Sequence, residues 1–178
     1  ASMLNNQAAL YMLMGKEDKV EGLLKNAAAI YKTSLGDESP AYAKVTSDLG
    51  NYYRISKRYA DAMPLLEKAL SIRERALGKS HPHYAQSQED LAILHWKNNA
   101  PQKAYALYKE TMNQSLGFIN TYFPPMSEAE KTKYWDVLSP RFQRFYNFAI
   151  DVRTSMPEIV NDLFNYQSTI AARVMTET

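Results

Sequence analysis

Apolar residues along this chain return in a fixed order 42 residues later. Leu49, Tyr53, Ala62, Leu66 and Ala69 are followed at that offset by Leu91, His95, Ala104, Tyr108 and Thr111. An earlier copy supplies Ala8, Tyr11, Val20, Leu24 and Ala27. The punctuation recurs with the same step: Leu35-Gly36 as Leu77-Gly78, Ser39-Pro40 as His81-Pro82, and Tyr42 as Tyr84. A period between about 20 and 50 residues is the mark of stacked supersecondary units, none of which can bury its apolar face alone.

Each copy reads as two helices. In the middle copy Ser39 caps and Pro40 takes the first helical position, where a missing N–H costs nothing. A helical stripe follows at Tyr42, Val45, Leu49, Tyr52, Tyr53 and Ile55. Lys57-Arg58 makes the turn, and a second helix carries Tyr59, Ala62, Leu65, Leu66, Ala69, Leu70 and Ile72 to Leu77, with Gly78 as its stop. The first copy predicts helices over 3–14 and 17–35, with Gly15 in the turn and Gly36 as the stop. The third predicts helices over 82–97 and 100–120 around Asn98-Asn99. The copies thus occupy 1–38, 39–80 and 81–123, and Gly50 and Ala92 fall where the paired helices cross.

The period then breaks. Leu116-Gly117 arrives early and Pro124-Pro125 ends the helix. Ser127 to Glu130 forms a capping box that predicts a short helix through Trp135 and Leu138. Ser139-Pro140 is read as the start of the next, with Phe142, Phe145, Tyr146, Ala149 and Val152 on one face. Pro157 opens a last helix with Val160, Leu163, Phe164, Ile170, Ala171 and Val174 in register. No stretch alternates with period two. The expectation is an all-α fold: superhelical helix-turn-helix repeats over 1–123 and an additional C-terminal helical segment over 124–178.

The repeats resemble the tetratricopeptide repeat, in the long-helix variant of kinesin light chains and many bacterial proteins. Leu4-Asn5-Asn6-Gln7-Ala8-Ala9-Leu10-Tyr11 is similar to that family's L-x-N-L-A-x-L-Y, and Leu77-Gly78-Lys79-Ser80-His81-Pro82-His83-Tyr84-Ala85 to its L-G-x-x-H-P-x-Y-A. Gln7 departs from the usual leucine and His95 from the usual aromatic. The tail carries a second resemblance. Met126 to Trp135 is similar to the L-S-E-x-E-K-x-x-x-W segment between the repeats and the peptidase of CHAT proteins, which are bacterial caspase-like proteins. The likeness runs on through Phe142 to Ala149 and Met156 to Gln167. It implies a caspase-like domain beginning near Thr178, which the repeats would contact within one polypeptide. The chain also opens inside a repeat, as expected of a piece with further repeats ahead of Ala1. The other readings of the fragment are a structural spacer docking on that peptidase and a stand-alone kinesin-light-chain-like adaptor.

Composition narrows the chemistry. The net charge of +2 gives no ground for a nucleic-acid or anionic-membrane partner. No apolar run approaches the ~20 residues of a membrane helix, and no signal peptide opens the chain. The absence of cysteine removes disulfides and thiol chemistry, and is compatible with a reducing compartment such as the cytoplasm. Gly78-Lys79-Ser80 ends like a phosphate-binding loop, but Arg73 stands where that motif needs its first glycine, so it reads as a helix stop. His81 and His83 have no nearby third ligand, so no metal is expected. His95 is read as a partly buried structural histidine, and Arg73, Arg75 and Lys79 as a solvated basic edge. No cofactor and no catalytic activity are expected of the fragment.

In repeats of this kind the first helix of each pair lines the concave side. That implies a groove for a protein or peptide ligand, lined by Asn5, Asn6, Ala9, Met12 and Leu13 from the first copy. The second adds Lys44, Ser47, Asp48, Asn51, Arg54 and Ile55, and the third Gln86, Glu89, Asp90, Ile93, Trp96 and Lys97. Asparagine and carboxylate groups suit peptide amides, and Met12, Ile93 and Trp96 suit apolar side chains. Asp48 and Asp90 stand where carboxylate-gripping repeats use lysine or arginine, which argues against that mode.

Overall fold

The computed structural model describes residues 1–174. Every regular element is helical: α1 (Ser2–Leu13), a 3-10 turn (Glu17–Lys19), α2 (Val20–Leu35), α3 (Pro40–Ile55), α4 (Tyr59–Leu77), α5 (Pro82–Lys97), α6 (Pro101–Tyr122), α7 (Glu128–Val152) and α8 (Ile159–Val174). The end of the C-terminal segment expected from the sequence, residues 175–178, lies outside the described residues. The chain forms two compact units, Ala1–Ala104 and a second from Tyr105 onward, and the division falls within α6.

In the first unit the period is a period of backbone geometry. Gly15, Lys57 and Asn99 all adopt positive φ, at 68°, 60° and 56°, and Gly36 and Gly78 do so after α2 and α4, at 86° and 82°. Each intra-pair turn closes with the same bond: Lys16 N–H to Tyr11 O at 2.9 Å, Arg58 N–H to Tyr53 O at 2.8 Å, Ala100 N–H to His95 O at 2.8 Å. Side-chain caps start α3 and α5, since Ser39 Oγ accepts from Tyr42 N–H at 3.2 Å and His81 Nδ1 from His83 N–H at 3.1 Å. The His81–His83 pair is thereby a capping device.

The recurring small and aliphatic positions form the core: Ala8, Val20, Leu24, Ala27, Leu49, Tyr53, Ala62, Leu66, Ala69, Leu91, Ala92 and Ala104 are buried. Gly50 lies against α4 so closely that a Cβ there would meet Leu66 Cδ2 at 2.8 Å. Helix α3 packs on α2 and α4, and α4 on α5.

The second unit departs from expectation at two places. Helix α7 runs unbroken through Pro140 rather than restarting there. A proline inside a helix removes one N–H bond and strains the preceding turn, at about 3 kcal/mol. The apolar face continues across it all the same, with Trp135 5.6 Å from Phe142 and with Phe142, Phe145, Phe148, Ala149 and Val152 buried. Burying those side chains outweighs the local penalty. The capping box at the start of α7 is formed, Ser127 N–H donating to Glu130 Oε2 at 2.9 Å. Helix α8 buries Ile159, Tyr166 and Ile170, whereas Val160 and Phe164, expected on the inner face, are exposed. The face is set by aromatic contacts, because Phe145 takes Tyr166 at 5.3 Å while meeting Tyr108 of α6 edge-on at 5.8 Å. Tyr105 O–H donates to Asp162 at 2.5 Å and Lys109 pairs with the same carboxylate at 3.2 Å, tying α6 to α8.

Candidate functional site

The first helices α1, α3 and α5 of the first unit line two adjoining cavities. The larger, about 590 Å³, is walled by Pro40, Ala41, Lys44, Ser47, Asp48, Asn51, Arg73, Leu77, His83, Gln86 and Asp90. The smaller, about 250 Å³, is walled by Asn5, Asn6, Ala9, Met12, Leu24, Lys44, Asp48 and Asn51. Lys44, Asp48 and Asn51 belong to both. Helical spacing explains this: residues four apart share a face, so 44, 48 and 51 project together from α3.

The floor of the larger cavity is a buried polar network. Ser47 Oγ donates to Asp90 Oδ2 at 2.8 Å, and Gln86 Nε2 donates to Asp90 Oδ1 at 3.2 Å. Burial pushes the Asp90 carboxyl above the usual carboxylate range, while Ser47, Gln86 and Asn51 bond to it and the Arg73 charge opposes the rise. Arg73 projects from α4 with only 6% of its surface exposed. Its Nη1 donates to Ser87 Oγ at 2.6 Å and to the His83 carbonyl at 3.2 Å. Burial lowers its pKa, and the charges of Asp90 and Asp48 work against that shift. Arg73 is therefore not part of a solvated edge as the sequence suggests. Arg75 and Lys79 are exposed, paired with Glu38 at 2.5 Å and Glu74 at 3.3 Å.

Above the floor the side chains are accessible. Lys44 and Asp48 form an exposed i,i+4 ion pair at 2.8 Å, a kind worth only a few tenths of a kcal/mol, about 0.3–0.5. Asn51 Oδ1 accepts from Arg54 Nε at 3.1 Å. Such groups can exchange their mutual bonds for bonds to a ligand at small cost.

Of the residues expected in the groove, the structure brings Asn5, Asn6, Met12, Lys44, Asp48, Asn51, Gln86 and Asp90 onto the two cavities. Arg54, Glu89, Ile93 and Trp96 line neither. Glu89 is fully buried, and Trp96 is half-buried with Lys97 Nζ 3.6 Å from its ring centroid. Asn5 is itself buried, with Oδ1 left without a hydrogen-bond partner. Sequence reasoning missed Arg73 and His83. The available signal was Arg73's place beside Ile72 on a packed second helix, one turn after the buried Ala69.

A sequence model of the family described as Tetratricopeptide repeat matches residues 1–75 and again 45–115. No curated protein matches the chain. Among solved structures, the crystal structure of BtubC (BKLC) from P. vanneervenii is similar, with a TM-score of 0.69 and 16% sequence identity. The match covers 97% of this chain and 61% of that one, so the chain spans less than two thirds of its length. At that identity the likeness speaks for the fold alone.

Proposed function

The chain belongs to the tetratricopeptide repeat family, whose repeats generally mediate protein–protein interaction, and from that membership we propose that its two adjoining cavities hold an extended peptide segment of a protein partner. The observation that carries this reading is the sharing of Lys44, Asp48 and Asn51 between the cavities. A continuous ligand crossing both would meet an ammonium, a carboxylate and an amide in succession, passing in the larger cavity over the hydrogen-bonded Ser47, Gln86 and Asp90. Amide and carboxylate side chains pair with peptide N–H and C=O groups, and Met12 offers an apolar contact at the α1 end.

The proposal extends to the setting of the module. The resemblance of 126–135, 142–149 and 156–167 to the segment preceding the peptidase of CHAT proteins supports a place beside a caspase-like domain. There the repeats would present a substrate or restrain the enzyme. A second reading, in which the C-terminal helices dock on that peptidase and the groove stays empty, is favoured by the exposed Val137, Ile150, Val160 and Phe164.

The test is selection of a random-peptide phage library on the chain, followed by titration of the enriched peptides. Replacing Lys44 and Asp48 together by alanine removes both charges, so neither is left unpaired, and helicity is expected to survive. Each peptide is expected to lose about tenfold or more in affinity, the scale of a residue central to an interface. Peptides that bind parent and variant equally, or a library that yields none, would count against the groove. Reading the coding sequence beyond Thr178 tests the CHAT setting, which falls if no peptidase follows.

A further inference from the structure

Arg73 brings a positive charge into the wall of the larger cavity, and among the described residues no carboxylate bonds to it. A guanidinium offers five N–H groups. Nη1 donates to Ser87 Oγ at 2.6 Å and to the His83 carbonyl at 3.2 Å, both neutral acceptors, and Nε and Nη2 donate to no group of the described residues. Asp90 and Asp48 act on Arg73 through charge alone, without a hydrogen bond. A cation taken out of water calls for a bonded anion. Arg73 is only 6% exposed yet lines the cavity, so the place for that anion is the cavity itself. The charge is not part of the repeat framework. With a 42-residue step, Tyr31 and Ser115 stand where Arg73 does, and Val45 stands where its partner Ser87 does. Stacking one repeat on the next therefore does not require a cation here.

The other titratable groups of the cavity do not answer this charge. Lys44 and Asp48 hold each other at 2.8 Å. Burial pushes Asp90 toward its neutral form, and burial with the nearby Arg73 charge does the same for His83. Arg73 also stands on α4, behind the first helices that carry Lys44, Asp48 and Asn51. A group that reaches it projects from a peptide backbone running over α3. We infer that the larger cavity seats an acidic side chain of the bound peptide, its carboxylate accepting from Arg73 Nε and Nη2 side by side. The inference rests on the groove reading above and names the chemistry that the groove selects. A carboxylate fits the site better than a phosphate, because Asp48 and Asp90 line the same cavity and repel a second negative charge.

The probe is a phage library of peptides about twelve residues long, with glutamate or glutamine in equal amounts at one central position and uncharged residues elsewhere. The peptides are fused to the coat protein through their C-termini, so no chain end can stand in for the side chain. Phage recovered on the full chain are expected to carry glutamate over glutamine by about fivefold or more, the gain of a charged acceptor over a neutral one. On Arg73→Met the ratio is expected to fall to parity. Lys44→Ala with Asp48→Ala is expected to lower recovery of both kinds alike. Parity on the parent chain overturns the inference, as does a preference that survives Arg73→Met or vanishes with the Lys44 and Asp48 pair. The parent and the paired variant decide the matter even if the methionine variant fails to fold. A recovered glutamate peptide is then synthesised with phosphoserine in its place and titrated by anisotropy. About threefold weaker binding is expected, and equal or tighter binding overturns the inference in favour of a phosphate. Recovery indifferent to the paired variant, or no recovery at all, overturns the groove reading and this inference with it. Parity in recovery that the paired variant does lower removes the acidic side chain alone.

Discussion

Ser47 Oγ donates to Asp90 Oδ2 at 2.8 Å, joining the first helices of successive repeats beneath the candidate groove. Both residues are buried, so neither can turn to water for a replacement partner. Ser47→Ala is therefore expected to destabilise the fold by about 1–3 kcal/mol, the range for a lost bond to a buried charged group. Urea unfolding at neutral pH measures it; a midpoint equal to the parent's would show that the bond contributes nothing net.

The raised pKa of Asp90 makes stability depend on pH in a definite direction. Burial favours the protonated form in the folded state, so folding is opposed as pH rises from the ordinary carboxylate value toward the raised one. Below both values the opposition is absent, and above both it is complete. Asp90→Asn is expected to be at least as stable as the parent at pH 7 and to lose that advantage in acid. Melting curves across pH check it, and an advantage that grows in acid would reverse the assignment.

Glu21 behaves in the opposite sense. Hydrogen bonds from Lys25, Tyr53 and Arg58 hold its carboxyl at about 2, well below the usual 4.5. Its contribution is present above the unfolded value and is lost as pH falls through about 4.5 toward 2. With the side chain 27% exposed, solvent screening reduces the contribution to roughly 1 kcal/mol. Glu21→Gln is expected to cost that much at pH 7 and nothing near pH 2, as followed by denaturant titration at each pH.

Gly50 sits where α3 crosses α4. A Cβ there would stand 2.8 Å from Leu66 Cδ2 and 3.3 Å from Leu65 Cβ. Gly50→Val should lose about 1–3 kcal/mol by overpacking. Adding Leu66→Ala to the variant opens the space, so the double variant is expected to be more stable than the sum of the two single losses. Strict additivity in the cycle would mean that the two side chains do not meet.

Pro140 lies in the interior of α7 and is exposed. Alanine there restores a backbone N–H and removes the clash with the preceding turn. Pro140→Ala is expected to raise stability by about 1–3 kcal/mol, up to the intrinsic helix penalty of proline. A drop in the thermal midpoint would indicate that the proline shapes α7 for its packing.

How much of this was legible in the sequence varies with how local the cause is. The turn glycines, the Ser39 cap and the core stripe are legible because each depends on residues within a few positions of one another. Pro140 does not restart the helix because its local signal is real but smaller than the packing of the face that runs across it from Trp135 to the buried Phe142 and Phe145. Val160 and Phe164 were placed inward because a stripe read on one helix does not say which of two apolar edges meets the neighbour. Tyr166 and its contact with Phe145 decided that. In the groove, taking residues beside the stripe found Lys44, Asp48 and Asn51, but it put Glu89 at the surface, where the fold buries it.

By itself the sequence determined that α1 to α6 are helical pairs with a 42-residue step, because periodic burial and helix termination are encoded residue by residue. Only the tertiary structure decided which polar groups lie under the groove and which stand over it. Arg73 and Asp90 look like any surface charges in the linear pattern. They become a buried floor because stacking brings α4 and α3 against α5, and the cost of removing those charges from water is met by Ser47, Gln86 and Ser87, partners that lie up to a full repeat away.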